Sequence, residues 1–269
     1  MPELPEVEVT RRGLAALLGR RVTDVVVRSE RLRYPLPGDL IGQIGGKALT
    51  DIGRRGKYLL LALGAGHLLI HLGMSGNLRL VAAAEAPARH DHLDVVFGRT
   101  VLRLRDPRRF GAVLWLEGDP ATHPLLARLG PEPLARGFTA GRLAAALARR
   151  RTAIKPALMD SRVVVGVGNI YASESLFRAG IDPRKPAARV TAAQLAKLVS
   201  AIKDTLRAAI RAGGSSLRDY VQAEGDLGGF QRRHQVYGRA GEPCRRCGAL
   251  VRCLRQTGRA TYYCPRCQK

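Results

Sequence analysis

Two periodicities divide the chain. Between residues 21 and 116 the apolar positions come in short runs, "RVTDVVVR", "KYLLLAL", "HLLIHLG", "LDVVF", "TVLRLR" and "AVLWLEG", separated by Gly, Pro and Asp. Runs of that length between turn residues predict short antiparallel strands, and hence a sandwich or a barrel. The Pro-rich stretch "HPLLARLGPEPLARG" ends this region, and from about Thr139 the spacing turns helical. The clearest helix is "TAAQLAKLVSAIKDTLRAAIRAGG", where Thr191 and Gln194 form a capping box. Leu195, Leu198, Ile202, Leu206 and Ile210 fall on one face of it, and Gly213 and Gly214 stop it. Residues 221–231, "VQAEGDLGGFQ", follow neither period and hold three glycines, which predicts a mobile loop. No internal repeat or low-complexity tract interrupts the pattern.

At 269 residues, 46% hydrophobic, the chain is long enough for two cores and an appendage. No apolar run approaches the roughly 20 residues of a membrane span, and the first residues are charged where a signal peptide is apolar. A soluble, cytoplasmic protein is expected. Charge then narrows the class: 45 Lys and Arg, 38 of them Arg, stand against 22 acids, for a formal net charge of +23. Guanidinium groups grip phosphate oxygens bidentately, so nucleic acid is the leading partner, with a merely basic surface as the alternative.

All five cysteines lie between Cys244 and Cys267, too few and too clustered for a secreted disulfide framework. Cys244, Cys247, Cys264 and Cys267 form C-x2-C-x16-C-x2-C, the spacing of two knuckles that close a tetrahedral zinc site and hold a short hairpin together, with a redox pair or an iron–sulfur cluster as the alternatives. Cys253 falls at no ligand spacing and reads as filler or a surface thiol. Residues 232–269 carry ten basic side chains and one acid, Glu242, which suits phosphates or a solvated basic knob.

Other candidates are individually weak. "VVVGVGNIYASESLF" sets Gly166, Val167, Gly168 and Asn169 before a helix, with Asn169 as its N-cap and backbone N–H groups open to a phosphate. Arg149 to Arg151 and Lys155 add positive charge nearby. In the strand-rich half Lys57 stands at a strand entrance, Met74 in "HLGMSG", and Arg108 and Phe110 in "DPRRFG". An exposed Met, Arg and Phe on loop tips make an apolar wedge with a hydrogen-bonding finger, the kit that unstacks a base; singly they read as core or surface. His71 and His90 lack a second ligand at metal spacing, so phosphate contact or plain surface suits them better. The opening "MPELPEVEVTRRG" concentrates Glu3, Glu6 and Glu8 beside Pro2. A helix starting near Pro5 accounts for Glu6 and Glu8, the latter paired with Arg12, and leaves Glu3 unexplained.

Taken in order, "PELPEVE", "HLGMSG", "HDH", "DPRRFG", "LGPEPL", "TAIKPALMD", "VVGVGNIYASESLF", "VYGRAGEPC" and "RATYYCPRCQK" cover nearly the whole chain. The sequence resembles the bacterial formamidopyrimidine-DNA glycosylases, within the family that includes endonuclease VIII. The resemblance implies an α+β fold: an N-terminal antiparallel β-sandwich domain with an N-terminal helix (1–130), a helical helix-two-turns-helix domain (131–231) and a C-terminal β-hairpin zinc finger (235–269). It implies a monomeric, bifunctional DNA glycosylase and AP lyase of base excision repair, acting on oxidised purines in damaged double-stranded DNA by β,δ-elimination. Pro2, exposed by removal of Met1, becomes the nucleophile, Glu3 the acid/base, Lys57 a proton donor and Arg259 a phosphate contact. Met74, Arg108 and Phe110 fill the gap left by the everted base, while His71, His90, Arg150 and Asn169 match backbone contacts. The chemistry agrees, since an α-amino group with a pKa of about 7.7–8.0 is nearer its unprotonated form at neutral pH than a lysine at about 10.4. A non-enzymatic basic zinc-ribbon protein explains the charge and the cysteines but gives Pro2, Glu3 and Lys57 nothing to do.

Overall fold

The structure, a computed structural model, describes residues 1–216, 222–223 and 225–269. They form two compact units, residues 1–127 with 212–229, and residues 128–211 with 230–269. The first begins with helix α1 (Leu4–Gly13), which starts one residue before the expected Pro5 because Glu3 is its N-cap. Glu3 and Glu6 close a capping box there, with the Glu3 N–H donating to Glu6 Oε2 at 2.8 Å.

Strand β1 (Asp24–Val27), helix α2 (Leu40–Ile44), strands β2 (Leu49–Arg55), β3 (Tyr58–Leu63), β4 (Gly66–His71), β5 (Asn77–Ala82), β6 (Asp91–Phe97), β7 (Thr100–Arg105) and β8 (Ala112–Glu117), and helix α3 (Pro124–Ala127) follow. The strands form two four-stranded antiparallel sheets, in the orders β1-β6-β7-β5 and β2-β3-β4-β8. One core serves both: Val7 and Leu14 from the amino-terminal helical segment meet Leu59, Leu61 and Leu63 of one sheet and Leu93, Val95 and Leu104 of the other. This is the sandwich. In β3 alternate residues are buried, as the period of two requires, each leucine contributing about 1.5–3 kcal/mol. Strand β7 departs from alternation because Arg103, on the face expected to be wet, is covered and bonded to its cross-strand neighbour Asp94 at 2.9 Å. Of the loop expected at 221–231, Val221 and Glu224 lie outside the described residues. Ala223 is buried in the sandwich core and its carbonyl accepts from Leu80 N–H at 2.9 Å, so the loop is anchored there.

The second unit holds helices α4 (Ala140–Leu147), α5 (Ile154–Met159), α6 (Asn169–Ala179) and α7 (Ala192–Arg211) and the hairpin β9 (Arg252–Gln256) and β10 (Arg259–Tyr263). Around α7 the sequence expectation holds in detail. The Gln194 N–H donates to Thr191 Oγ1 at 3.3 Å, Thr191 N–H donates to Gln194 Oε1 at 3.1 Å, and the five-residue stripe is buried. Gly213 and Gly214, at φ of 76° and 80°, end the helix in a conformation other residues avoid. Helices α5 and α6 with the turns between them make the helix-two-turns-helix. Below the hairpin a small core joins Phe177 of α6 to Val236, Val251, Cys244 and Cys264. No helix among the described residues is long and apolar enough to cross a membrane.

Candidate active centre and nucleic-acid interface

At the amino terminus Met1 is 45% exposed while Pro2 and Glu3 are buried. Glu6 and Glu8 hold this end in place. Besides receiving the Glu3 N–H, Glu6 accepts from Ser215 N–H at 2.8 Å through its other oxygen. Glu8 accepts from Arg11, Arg12 and Arg54 at 2.9–3.0 Å. Burial raises the Glu8 carboxyl, but the hydrogen bonds from the three arginines outweigh it and hold the pKa at about 2. Arg54 also donates to Gly56 O at 2.9 Å. Gly56 and Lys57 form the two-residue turn between β2 and β3, so Arg54 clamps the Lys57 turn to α1.

His71 pairs with Tyr58 across β3 and β4, ring centroids 4.8 Å apart. Burial, with the charges of Lys57 and Arg33, lowers its pKa to about 4. It is therefore neutral near pH 7, and its Nδ1 accepts from Gly73 N–H at 3.0 Å. Gly73, at φ 60°, lies so near the Phe110 backbone that an added Cβ would sit 2.4 Å away. The Met74 and Arg108–Phe110 loops therefore adjoin, as a wedge requires. Phe110 is 47% exposed, the Arg108 guanidinium lies 4.9 Å from its ring centroid, and Met74 is half-buried.

Asp106, fully buried, ties these loops together and was not singled out by the sequence. Its carboxylate accepts from Ser75 Oγ at 2.8 Å, Gly111 N–H at 2.7 Å and Arg108 N–H at 3.3 Å. Its N–H donates to His90 O at 3.0 Å, and its own carbonyl is 2.9 Å from His92 Nε2. His90 and Arg109, at φ of 77° and 55°, take the left-handed conformation on either side of it. Asp106, and the contact of Glu6 with Ser215, escaped notice because they act mainly on backbone N–H groups, which leave no residue pattern.

In the second unit Asn169 is the first residue of α6, and Gly168, not Asn169, is the N-cap. The Asn169 side chain is used elsewhere, as its Oδ1 accepts from Lys155 Nζ. Lys155, which the sequence counts among the nearby positive charges, is fully buried, and its ammonium also donates to Ala260 O at 2.9 Å and Thr261 Oγ1 at 2.8 Å. Three acceptors satisfy its three donors and pin α5 and α6 to β10. Arg259, next to Ala260, is exposed and follows the Thr257–Gly258 turn. Arg150 is half-buried and donates to Asp160 at 2.7 Å, an acid it shares with Arg162.

The four knuckle cysteines place their sulfurs within 4.8 Å of one another, with Cys244–Cys267 at 4.0 Å and Cys247–Cys264 at 3.5 Å. Four Zn–S bonds of about 2.3 Å at tetrahedral angles need sulfurs about 3.8 Å apart, so the set fits one zinc ion. Burial and the neighbouring sulfurs push the Cys267 thiol up to about 12, while the hydrogen bond from the Ala249 backbone draws Cys247 down to about 7. Cys253 is exposed on β9, away from the four.

Three family models match in sequence: the formamidopyrimidine-DNA glycosylase N-terminal domain over residues 1–113, the formamidopyrimidine-DNA glycosylase H2TH domain over 129–221, and the zinc finger found in FPG and IleRS over 241–269. The chain belongs to the formamidopyrimidine-DNA glycosylase family. Curated family members from Thiobacillus denitrificans and Methylococcus capsulatus are 59% and 54% identical to it, over all of both chains. The Thermus thermophilus enzyme is 42% identical with a TM-score of 0.88, covering 99% of this chain and 98% of its own. A mutant Lactococcus lactis enzyme in complex with a Fapy-dG containing DNA is 35% identical with a TM-score of 0.93, covering both chains completely. The Lactococcus lactis enzyme with an abasic site containing DNA scores 0.92 at the same identity and 99% coverage of each chain. Family membership makes the chain a DNA glycosylase of base excision repair with one structural zinc.

Proposed function

We infer that this glycosylase removes oxidised purines, 8-oxoguanine and formamidopyrimidines, from damaged duplex DNA and then cuts the strand as an AP lyase. The observation that carries this reading is the amino terminus. Glu3 is only 2% exposed, its N–H is fixed by Glu6, and it adjoins Pro2, while the exposed Met1 is placed for removal. Once Met1 is gone, the secondary amine of Pro2 attacks C1′ of the damaged nucleotide. The N–C1′ bond forms, the bond to the base breaks, and Glu3 moves the protons that the leaving base and the opening sugar require. The resulting iminium withdraws electrons from C2′; loss of a C2′ proton expels the 3′ phosphate, and a second elimination expels the 5′ phosphate. Lys57, held by the Arg54 clamp, donates a proton in the first elimination, and Arg259 contacts the phosphates.

Rotating the lesion out of the duplex costs a few kcal/mol of stacking and pairing. Met74 and Phe110 offset this by filling the gap, with Arg108 facing the orphaned base. His71, His90, Arg150 and Asn169 contact the strand. Residues 1–130 form the catalytic domain, 131–231 bind DNA, and the finger at 235–269 steadies it, its zinc cross-linking the hairpin when bound. The enzyme acts as a monomer in the cytoplasm, at the nucleoid by virtue of its DNA contacts. The complexes of relatives with Fapy-dG and abasic-site DNA support the choice of substrate.

Borohydride reduction of the protein mixed with a duplex carrying 8-oxoguanine opposite cytosine tests this. A covalent protein–DNA adduct is expected with the processed chain, lost in Pro2→Gly and when Met1 is retained. No adduct with the processed protein would overturn the reading.

A further inference from the structure

The second unit contains a cleft of about 610 Å³ that no step above uses. Five arginines line it: Arg178 at the end of α6, Arg232 and Arg233 after the 212–229 loop, and Arg245 and Arg246 between the first two knuckle cysteines. Some arginines elsewhere in the chain are matched to acids, with Arg11, Arg12 and Arg54 on Glu8, Arg28 and Arg103 on Asp94, Arg184 on Asp182 and Arg239 on Glu242, while others, Arg20 and Arg21 among them, bond to neutral oxygens. In the cleft none of the five forms an ion pair among the described residues. The one carboxylate in its wall, Glu174, accepts from the N–H groups of Gln235, Val236 and Tyr237 at 2.9–3.0 Å and also attracts the Arg178 guanidinium, though without an ion-pair contact.

Two of the guanidiniums are braced. Arg246 lies 4.6 Å from the centroid of Phe177, and Arg245 donates to Arg232 O at 3.2 Å. The same wall holds Thr205, 2% exposed, whose hydroxyl has no hydrogen-bond partner among the described residues. The five residues are exposed, so water screens part of their mutual repulsion, and an anion held between them relieves the rest. Its size is that of a site for a small organic ligand, about 300–1,000 Å³. A duplex lays its phosphates out along a convex rod, at one charge per ~1.7 Å of axis, whereas a short phosphate chain places several charges in one such cavity.

We propose that this cleft is a binding site for a free oligophosphate, either an inorganic chain or the triphosphate of a nucleotide. Because Arg245 and Arg246 belong to the first zinc knuckle, a bound chain bridges the finger to α6 and braces it. The site is independent of Pro2, so its failure and that of the excision reading are separable.

The test is calorimetric titration of inorganic tripolyphosphate, and in parallel a nucleoside triphosphate, into the zinc-loaded full-length protein, with zinc content measured before and after. Saturable one-to-one binding is expected, weakened about tenfold or more in the double variant Arg178→Ala, Arg233→Ala. The charge-matched control Arg20→Ala, Arg21→Ala, both exposed in the first unit, is expected to bind like the parent. Equal affinity for the two ligands assigns binding to the phosphates alone, and tighter nucleotide binding adds a base contact; both support the site. Excision by the Arg178→Ala, Arg233→Ala variant is expected to match the parent. The proposal fails if the control weakens binding as much as the double variant, since attraction is then non-specific. It fails equally if undamaged duplex displaces tripolyphosphate and loses affinity in the double variant, since the arginines are then DNA contacts.

Discussion

Asp106 shows how much of the interface depends on one side chain. Ser75 and Gly111 reach its two carboxylate oxygens, and both wedge loops take their shape from it. Asparagine offers one oxygen where the aspartate offers two, and turns an amide N–H₂ toward groups that already donate. At least one buried donor is then left without an acceptor, a loss of about 1–3 kcal/mol. Asp106→Asn is expected to lower thermal stability by that amount. It is also expected to weaken the opening of a lesion duplex, read from the fluorescence of a base analogue opposite the lesion. A variant with the parent's melting temperature and the parent's duplex opening would show that the loops do not depend on Asp106. The cysteines were legible in the sequence because metal ligation fixes residue type and spacing together. Asp106, the contact of Glu6 with Ser215 and the buried ammonium of Lys155 were not, because their partners are backbone groups or residues far along the chain. The Arg149 to Arg151 run beside Lys155 gives no sign in the sequence that the lysine's own ammonium is buried.

At the scale of elements the strands with long apolar runs were legible, and the two missed strands, β2 and β5, explain why. β2 carries Asp51, Arg54 and Arg55 and shows neither an apolar run nor alternation, while β5 alternates only over Asn77 to Leu80 and has no apolar run of its own. Their places come from pairing with β3 and β7, which is a property of the sheet. The finger hairpin carries its own local conflict. Gln256 pairs with Arg259, leaving Thr257 and Gly258 as a two-residue turn with φ of 45° and 75°. Such a turn favours Asn-Gly, and a β-branched residue there costs about 1–2 kcal/mol. Thr257→Asn is expected to stabilise the finger by about 1 kcal/mol, seen as slower zinc loss to a chelator. Zinc loss as fast as the parent's would mean that the strain is relieved some other way.

For the molecule as a whole, acid stability follows from groups spread over both units. His71 in the first unit and His234 in the second are held neutral, chiefly by burial, with pKa values of about 4 against an ordinary 6.5. In the unfolded chain each takes a proton as pH falls below about 6.5, while in the folded chain neither does until about 4. The unfolded state thus binds more protons across that window, so stability is full above pH 6.5 and is lost as pH falls toward 4. Glu8 and Asp160, each held at about 2 because hydrogen bonds from arginines outweigh burial, push in the same direction at lower pH. Their stabilisation is complete above about pH 4.5 and disappears as pH falls toward 2. The acid limb is therefore expected to begin with the histidines and steepen with the carboxylates. The two units provide separate probes. Trp115, the single tryptophan, lies on β8 of the sandwich, while the long helices α6 and α7 belong to the other unit. His71→Gln is expected to flatten the pH dependence between 6.5 and 4 of the unfolding seen by tryptophan fluorescence. His234→Gln is expected to do so for the unfolding seen by helical circular dichroism, and both variants keep the limb below pH 4.5. If neither slope changes, the buried neutral histidines do not set the onset of acid unfolding, and the carboxylates alone account for it.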